Sequence, residues 1–351
     1  MKIKIAVIYN EFPLAPPKPK QTFDPKLLGF NPVFDIEDNS PEEAYRSLSE
    51  RLANRGFDVY TLNIKDDLIL LINSLKKEKP DVIFNFVEIF NSVARLEMNI
   101  CGLYELMKIP YTGASPLGLA NCQNKILTKR ILKSIGIKTA KFELVEKIQD
   151  RYTTKLKYPI IVKPAFEDAS IGIDFNAVVR NSLELKNRLN YILMEFKQTA
   201  LLEEYIDGRE LNVAVLGNQN PTVLPISEID FSTMPPHLDK IVSFQAKWDQ
   251  LHEAYHKTLP ICPAILPKSI LKKAEAIALQ AFKTMGTRDY ARVDMRLTDK
   301  NQLFVLEVNP NPDLTEGAGF MRSAEAFGLS YDETLEKIIF LALERAQKKV
   351  N

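Results

Sequence analysis

The chain of 351 residues has few cysteines, almost no net charge and no long apolar run. Its three cysteines, Cys101, Cys122 and Cys262, are odd in number and lack metal-type spacing, which is typical of a protein in the reducing cytoplasm. A formal net charge of +1 gives no electrostatic reason to expect a nucleic acid or a membrane surface as a partner. No run of about eighteen apolar residues is present, so no segment is expected to span a membrane. The N-terminal MKIKIAVIYN is expected to be a short buried strand and not a signal peptide, because its apolar run is brief and no cleavage pattern follows.

A composition of 46% hydrophobic and 26% charged residues provides ample material for a core, and the length suggests about two or three domains. Strand-like and helical segments alternate with short connections in the first third of the chain. Such alternation predicts a parallel, doubly wound sheet. The segments are, in order, KIAVIYN, SPEEAYRSLSERLANRG, FDVYTLNI, DDLILLINSLKKEK and DVIFNFVEI.

From about Gln123 the pattern changes to one of mixed helices and strands. A helix, NKILTKRILKSIG, comes first. Two later strand-like segments, TALLEEYI and ELNVAVLG, are close enough in sequence to be expected as an antiparallel pair. A long helix is then expected from about Lys268 to Met285.

Two strands near the C-terminus, DYARVDMRL and FVLEVN, flank a short turn and are expected to form a hairpin. Side chains alternate along a strand, so residues 304, 306 and 308 should lie on one face and residues 305, 307 and 309 on the other. Asp294 of the first strand then shares a face with Glu307 and Asn309. Two carboxylates and an amide oxygen are the donors that Mg²⁺ (or Mn²⁺) prefers, with phosphate oxygens filling its other positions.

Arg292 lies beside this set and could neutralise a developing oxyanion. The alternative is a surface ion-pair ladder between the acids and Arg292 or Arg296. The residues of the hairpin alone leave both explanations open.

The chain resembles the ATP-grasp carboxylate–amine ligases, most closely the D-alanine–D-alanine ligase branch. The resemblance runs from about Phe84 to the last helices. It implies an ATP-grasp fold of mixed α/β and α+β class in three parts: an N-terminal doubly wound α/β domain (1–122), a small central α+β lid domain (123–210) and a C-terminal α+β domain with the metal site (211–351). The motifs that carry it are FNFVE, IPYTG, NKILTKRILKSIGI, PIIVKP, LLEEYIDGRELNVAVL, CPA, ARVDMRL and LEVNPNPDLTEGAGF.

The resemblance also implies a nucleotide site. Lysines that hold ATP phosphates match Lys125 and Lys163; a solvated lysine is the alternative for each, although Lys163 lies in the apolar strand IIVKP. A loop at residues 167–172, which includes Ser170, and a second lid at about 231–250, which includes Lys247, would close over the phosphates. The residues that match the adenine hinge are Glu203, Glu204, Tyr205 and Ile206; Glu210 matches the ribose acid, Arg292 the phosphoryl-stabilising arginine, and Asp294, Glu307 and Asn309 the metal ligands.

The implied activity is ATP-dependent, ADP-forming ligation. The γ-phosphoryl group of ATP would convert a carboxylate into an acyl phosphate, which an amine then attacks to form an amide. The implied substrates are small molecules, a carboxylate (an amino acid) and an amine. Relatives are usually homodimers through the N-terminal domain.

The sequence departs from the branch where D-alanine would be recognised. Ala169 replaces a substrate-orienting serine, and Trp248 replaces the tyrosine that bonds to it. Asp313 replaces a glycine of the oxyanion pocket, and Ala318 replaces a carboxylate-binding serine. We therefore expect a substrate other than D-alanine.

Replacement substrate contacts can be suggested from the remaining charged residues. Arg322 and Arg95 are candidates to bind a carboxylate, because a guanidinium binds carboxylates bidentately. Glu88 is a candidate to bind an amine, and Trp248 of the second lid is a further candidate substrate contact. A surface arginine or a solvent-facing acid at a strand end is the alternative for each charged residue.

Two other functions remain open. HEAYH, residues 252–256, matches the zinc peptidase motif H-E-x-x-H, with Glu253 as base and Glu275 as a third ligand. Its position in the second lid, just before Pro260 and Pro263, argues against a stable zinc-binding helix. A nucleotide-binding relative without catalytic activity is the other alternative.

Overall fold

The computed structural model describes residues 2–11, 30, 32–34, 41–167 and 169–348. Within these ranges the chain forms three β-sheets with helices packed against them. Asp168, in the middle of the phosphate loop predicted at residues 167–172, lies outside the described residues. No helix in the described ranges is long and apolar enough to span a membrane.

The first sheet has three parallel strands in the order β2–β1–β3. Its two faces are covered by different helices: Val7 of the central strand packs in one core with Leu52, and its neighbour Ile8 packs in another with Leu71. The predicted parallel, doubly wound arrangement is therefore confirmed. The elements of this part are β1 (Lys4–Tyr9), α1 (Pro41–Asn54), β2 (Asp58–Asn63), α2 (Leu68–Glu78), β3 (Val82–Phe86), a 3₁₀ turn (Ala94–Leu96), α3 (Glu97–Leu106) and α4 (Pro116–Gln123).

The second sheet has four antiparallel strands in the order β4–β7–β5–β6. One helix covers it, and the buried side chains of Leu185 and Leu189 join Val162 and Leu202 in a small core. Its elements are β4 (Phe142–Val145), β5 (Ile160–Pro164), β6 (Val178–Val179), α6 (Ser182–Tyr191), a π-helical turn (Ile192–Phe196) and β7 (Ala200–Glu204). Helix α5 (Lys125–Ser134) precedes it in the chain.

The third sheet has six strands, in the order β11–β10–β8–β12–β13 with β9 paired to β8. The long helix α9 begins and ends where the sequence predicts, and it stops at Gly286 with a left-handed φ of 75°. The elements are β8 (Arg209–Leu216), β9 (Thr222–Val223), β10 (Ser227–Asp230), α7 (Phe244–Trp248), α8 (Glu253–Lys257), β11 (Leu259–Ile261), α9 (Lys268–Met285), β12 (Tyr290–Leu297), β13 (Leu303–Asn309), α10 (Gly319–Ala326) and α11 (Tyr331–Lys348).

The predicted pairing of TALLEEYI with ELNVAVLG is wrong. These segments become β7 and β8, which lie in different sheets. The turn between them passes through Gly208, where a Cβ atom would lie 2.2 Å from the carbonyl oxygen of Leu297. This close approach needs glycine and docks the turn onto the third sheet, so the next strand pairs with β12 instead of returning along β7.

The β12–β13 hairpin forms as predicted, with one correction to its faces. Asp294 pairs with Glu307, but the next pair is Met295 with Val305, so Leu306 is an extra residue in a β-bulge. The bulge turns Val305 into the core, although strict alternation placed it on the face of Glu307. Asp294 and Glu307 remain directly opposite one another.

Cores are shared between the three parts of the chain. Leu132, just before the end of α5, is buried together with Val213 and Val293 of the third sheet. Val7 of the first sheet is buried in a cluster with Leu216 and Tyr290. The division at residues 122 and 210 therefore remains a prediction.

Candidate active site

A cavity of about 2000 Å³ opens where the end of β3, the loop after β5, helices α7 and α8 and the end of β13 meet. Tyr9 and Tyr45 stack with ring centroids 4.3 Å apart, and Tyr45 and Phe86 form part of the cavity wall. The predicted site residues that line the cavity are Glu88, Arg95, Lys247, Trp248, Arg292 and Asn309. The other predicted site residues lie outside its lining.

Asp294 is a buried carboxylate that accepts four hydrogen bonds. Arg292 donates from Nε (2.7 Å) and Nη2 (2.8 Å). Asn212 and Asn309 each donate an amide N–H at 2.8 Å. The guanidinium is thereby fixed in a bidentate pair that leaves its Nη1 for other contacts. Burial alone would lower the pKa of Arg292, but Asp294 raises it, so the arginine stays charged.

Glu307 lies across the ladder from Asp294 and faces several cations. Lys125 Nζ is 3.7 Å from its Oε2. Burial by itself would raise the pKa of Glu307, but the cations outweigh it and lower that pKa to about 2. Glu307 is therefore ionised at any physiological pH. The cations responsible are Lys125, Lys163, Arg292 and Lys247.

The donor set on this hairpin fits a divalent metal ion. Asp294 and Glu307 are adjacent carboxylates on a rigid strand pair, and Asn309 adds an amide oxygen beside them. Magnesium prefers such hard oxygen ligands. Both oxygens of Asp294 accept N–H donors in this arrangement, so a bound cation would compete with those donors.

The adjoining lysines share a buried carboxylate. Glu203 is 2% exposed, and its Oε1 lies 3.2 Å from Lys163 Nζ and 2.9 Å from Lys129 Nζ. Burial would raise the pKa of Glu203, but the two lysines lower it. Burial lowers the pKa of Lys129. Lys129 was not among the predicted residues, although its spacing of four from Lys125 places both on one face of α5.

The predicted adenine hinge continues from β7. The Glu204 and Tyr205 amides donate to the carbonyls of Lys141 and Pro159, and the Tyr205 hydroxyl donates to Lys240. Glu204, the last residue of β7, precedes Tyr205, and Ile206 follows it. All three residues are half-buried.

The predicted ribose acid is already paired with an arginine. Glu210 is buried, and its Oε2 is 2.8 Å from Arg296 Nη2. Burial raises the pKa of Glu210 and Arg296 opposes that rise. The apolar alternation of Leu211, Val213 and Val215 could have shown that Glu210 and Asn212 share the opposite, site-facing side of β8.

The phosphate loop and the second lid are in direct contact. Ala169 and Ser170 have left-handed φ values of 52° and 62°, strained for residues with a Cβ and typical of ligand-binding loops. Ser170 Oγ donates to the Val242 carbonyl at 2.9 Å, and Trp248 Nε1 donates to the Ala169 carbonyl at 2.9 Å. Lys247 Nζ lies 4.9 Å from the centroid of the Trp248 ring.

Arg322 lies beside Arg292 at the start of α10. A Cβ atom on Gly319 would be 3.6 Å from both Arg292 Nη1 and Arg322 Nη2, so the two guanidinium groups flank one point. Burial, and then the Arg292 charge, lower the pKa of Arg322. Its Nη1 donates to the Gly317 carbonyl, and its buried Nε has no hydrogen-bond partner in the described part of the chain.

The HEAYH histidines have other partners. His252 precedes α8 and its Nδ1 accepts the Ala254 amide at 3.0 Å. His256 Nδ1 accepts the amides of Val33 and Phe34, each at 3.1 Å. In the described ranges no three His, Cys, Asp or Glu side chains come together as a metal site. The arrangement therefore does not support the zinc peptidase alternative.

The sequence and the fold are similar to those of known proteins. The family described as D-ala D-ala ligase C-terminus matches residues 131–340. A D-alanine–D-alanine ligase from Carboxydothermus hydrogenoformans is 33% identical over 306 residues, which cover 85% of this chain and 91% of that protein. This chain belongs to the D-alanine–D-alanine ligase family.

Two further comparisons concern another sequence relative and the fold. An uncharacterized protein of Sinorhizobium fredii, y4sG, is 32% identical over 264 residues, 75% of each chain. The crystal structure of the Bacillus anthracis D-alanine–D-alanine ligase complexed with ATP has the same fold, with a TM-score of 0.71, 21% identity and 99% coverage of each chain. The protein has an ATP-grasp fold and is an ATP-dependent, ADP-forming carbon–nitrogen ligase for small-molecule substrates, with a divalent metal ion as cofactor.

Proposed function

We propose that this ligase joins a carboxylate other than that of D-alanine to an amine. Two of the proteins named above are D-alanine–D-alanine ligases, but at four positions where the resemblance to that branch implies D-alanine contacts, this chain carries Ala169, Trp248, Asp313 and Ala318. The observation that carries the proposal is the second guanidinium, Arg322, beside Arg292.

Two adjacent guanidinium groups repel each other unless an anion lies between them. Asp294 occupies only the Nε and Nη2 side of Arg292, which leaves Nη1 toward Arg322. Helix α10 begins at Gly319, and its N-cap residue, Ala318, provides no side-chain cap, so the first amides of the helix are available to an anion. A substrate carboxylate placed here would contact both arginines and the helix start.

The reaction would proceed in two steps. A carboxylate oxygen attacks the γ-phosphorus of ATP, the bond from that phosphorus to the bridging oxygen breaks, and ADP leaves. The amine nitrogen then attacks the acyl carbon, the carbon–oxygen bond to phosphate breaks, and the amine loses a proton. Arg292 would stabilise the negative charge that develops in both steps, and Lys247 and Ser170 would hold the phosphates under the two lids.

Mg²⁺ (or Mn²⁺) would be held by Asp294, Glu307 and Asn309, and it would neutralise phosphate charge. Lys125 and Lys163 would bind the phosphates directly. The adenine would lie along the end of β7, with Glu203 and Glu204, and along the connection that follows, with Tyr205 and Ile206; Glu210 would lie at the ribose.

Other contacts complete the proposal. Glu88 and Arg95 line the cavity on the N-terminal side and would bind the polar ends of the substrates, an amino acid and an amine. The three cysteines form no disulfide within the described residues, which fits a cytoplasmic location, and the protein would act there as a homodimer.

The decisive experiment measures ADP release with a panel of amino acids and amines that includes D-alanine. We expect another carboxylate to be used at least about tenfold more efficiently than D-alanine, a difference of roughly 1.4 kcal/mol in transition-state binding. The substitution Arg322→Ala should raise the KM of the acid-bearing substrate by about tenfold to a hundredfold, with the KM of ATP unchanged.

Arg322→Lys and the exposed Arg130→Ala serve as controls. Lysine keeps the charge without the bidentate fork and should give an intermediate KM, and Arg130→Ala should change nothing. D-Alanine turned over as well as every other acid, or an unaltered KM in Arg322→Ala, would contradict the proposal. ATP binding with no turnover across the panel would instead favour the non-catalytic relative.

A further inference from the structure

His256 uses both of its ring nitrogens inside the protein. It is fully buried; Nδ1 accepts the backbone N–H groups of Val33 and Phe34, each at 3.1 Å. Nε2 lies 2.9 Å from the carbonyl oxygen of Gln250, to which it can donate. Two donors at Nδ1 and an acceptor at Nε2 match one neutral tautomer, with the proton on Nε2.

Aromatic contacts surround the same ring. The centroids of Phe30 and Phe34 lie 5.3 Å and 6.0 Å from that of His256, and Phe34 stacks at an interplanar angle of 23°. Phe34 also meets Tyr255 edge-on, 5.8 Å between centroids and 85° between planes. We call residues 30 and 32–34 the N-terminal strap.

The strap contacts residues 250–256, the end of the second lid, and two of these residues form part of the cavity wall. Gln250, whose carbonyl faces His256 Nε2, and Tyr255, which touches Phe34, both line the cavity with Lys247 and Trp248. The contact joins residues 223 positions apart in the sequence. His256 therefore connects the N-terminal part of the chain to the wall that faces the substrates.

We propose that His256 is a positioning residue that clamps the N-terminal strap to the second lid and so holds Gln250 and Tyr255 in the substrate wall. The clamp would keep water away from the acyl group during ligation, a consequence that rests on the proposed function. The HEAYH motif is then explained by its second histidine as a backbone clamp and by its first, His252, as a helix cap.

Two substitutions separate the roles of the two ring nitrogens. His256→Asn keeps an acceptor oxygen at the position of Nδ1, whereas His256→Gln keeps a donor near Nε2 and loses the acceptor. His252→Asn is the matched control in the same motif, because asparagine also caps helices well. Phe34→Ala removes aromatic contacts of the strap without changing any residue of the lid. It replaces the His256 variants in the test if one of them does not fold.

The first measurement is amide hydrogen exchange of Val33 and Phe34 in the full chain without substrates. We expect exchange about tenfold faster in His256→Gln, since a lost hydrogen bond of roughly 1.4 kcal/mol corresponds to that factor, and faster exchange in Phe34→Ala. His256→Asn and His252→Asn should stay near the wild type. Unchanged exchange in both His256→Gln and Phe34→Ala, or equal loss in His256→Asn and His256→Gln, would refute the clamp.

The second measurement compares ADP released with amide formed, using the best substrates found for the wild type. Opening the strap should leave the KM of ATP unchanged, raise the KM of the carboxylate or amine and increase ADP formed without product by about tenfold. Full coupling in a His256→Gln protein whose strap amides exchange fast would show that the clamp has no role in ligation. Because exchange needs no turnover, a failure of the proposed function leaves the clamp itself testable.

Discussion

Asp294 and Glu307 lie on two paired strands of a six-stranded sheet, whereas Lys247, Tyr255 and Arg322 lie on the short helices α7, α8 and α10. On the strands, each charged group has a partner: Asp294 has four donors and Glu307 has nearby cations. On the helices, contacts run mainly to backbone carbonyls or between elements distant in sequence. The fixed side suits the proposed nucleotide and metal site, and the adaptable side suits the proposed substrate contacts.

The largest expected effect comes from the strand side. Glu307→Gln should lower turnover by at least about a hundredfold, because it removes a charge that would hold the metal ion and face the phosphates. The fold should survive, since the ion pair of Glu307 with Lys125 is a long contact of 3.7 Å. Steady-state ADP release and thermal unfolding check both statements.

Asp299→Asn is the matched control for that change. It makes the same carboxylate-to-amide exchange at an exposed residue of the hairpin turn. If Glu307→Gln were as active as Asp299→Asn, Glu307 would not be a metal ligand. The contrast between the strand side and the helix side of the site would then not hold.

The buried lysine Lys129 should matter for stability more than for turnover. Lys129→Met leaves the buried Glu203 with Lys163 alone and should lower the free energy of unfolding by about 3 kcal/mol. Urea unfolding measures this, with Lys133→Met on the exposed face of α5 as control. Equal stability of the two variants would show that Glu203 needs only one counter-ion.

The smallest expected effect concerns the contact between the lids. Trp248→Phe removes the N–H that reaches the Ala169 carbonyl and should lower kcat/KM by about threefold to tenfold. The pair Ala169→Ser and Trp248→Tyr restores the side chains found elsewhere in the family. In a double-mutant cycle the double variant should recover activity that Trp248→Tyr alone loses. Strict additivity would mean that the two positions act independently here.

The sequence allowed the local features of the site to be predicted. Helix α9 follows from its long amphipathic period, and the opposition of Asp294 and Glu307 follows from a short turn between two patterned strands. The bulge at Leu306 could not be predicted, because strict alternation gives no sign of an extra residue. The roles of the site residues themselves remain predictions.

Pairing between strands distant in sequence could not be predicted from the local residue pattern. TALLEEYI and ELNVAVLG are neighbours in sequence, but β8 pairs with β9, β10 and β12 and not with β7, and β12 lies about eighty residues later. The contact of His256 with Val33 is of the same kind, since neither residue carries a local pattern that indicates the other. Asn212 could be predicted in part. The alternation of side chains places it on the correct face of β8, but it does not identify Asp294 as its hydrogen-bond partner.

Glu203 holds two ammonium groups where one would neutralise it. When a phosphate draws Lys163 away, as the proposed function requires, Lys129 stays behind, anchored by its 2.6 Å bond to the Thr139 hydroxyl. The carboxylate is then never stranded without a counter-charge in the protein interior. On the proposed function, nucleotide binding would transfer one lysine from one anion to another, and ATP could be bound and released without rearrangement of the core.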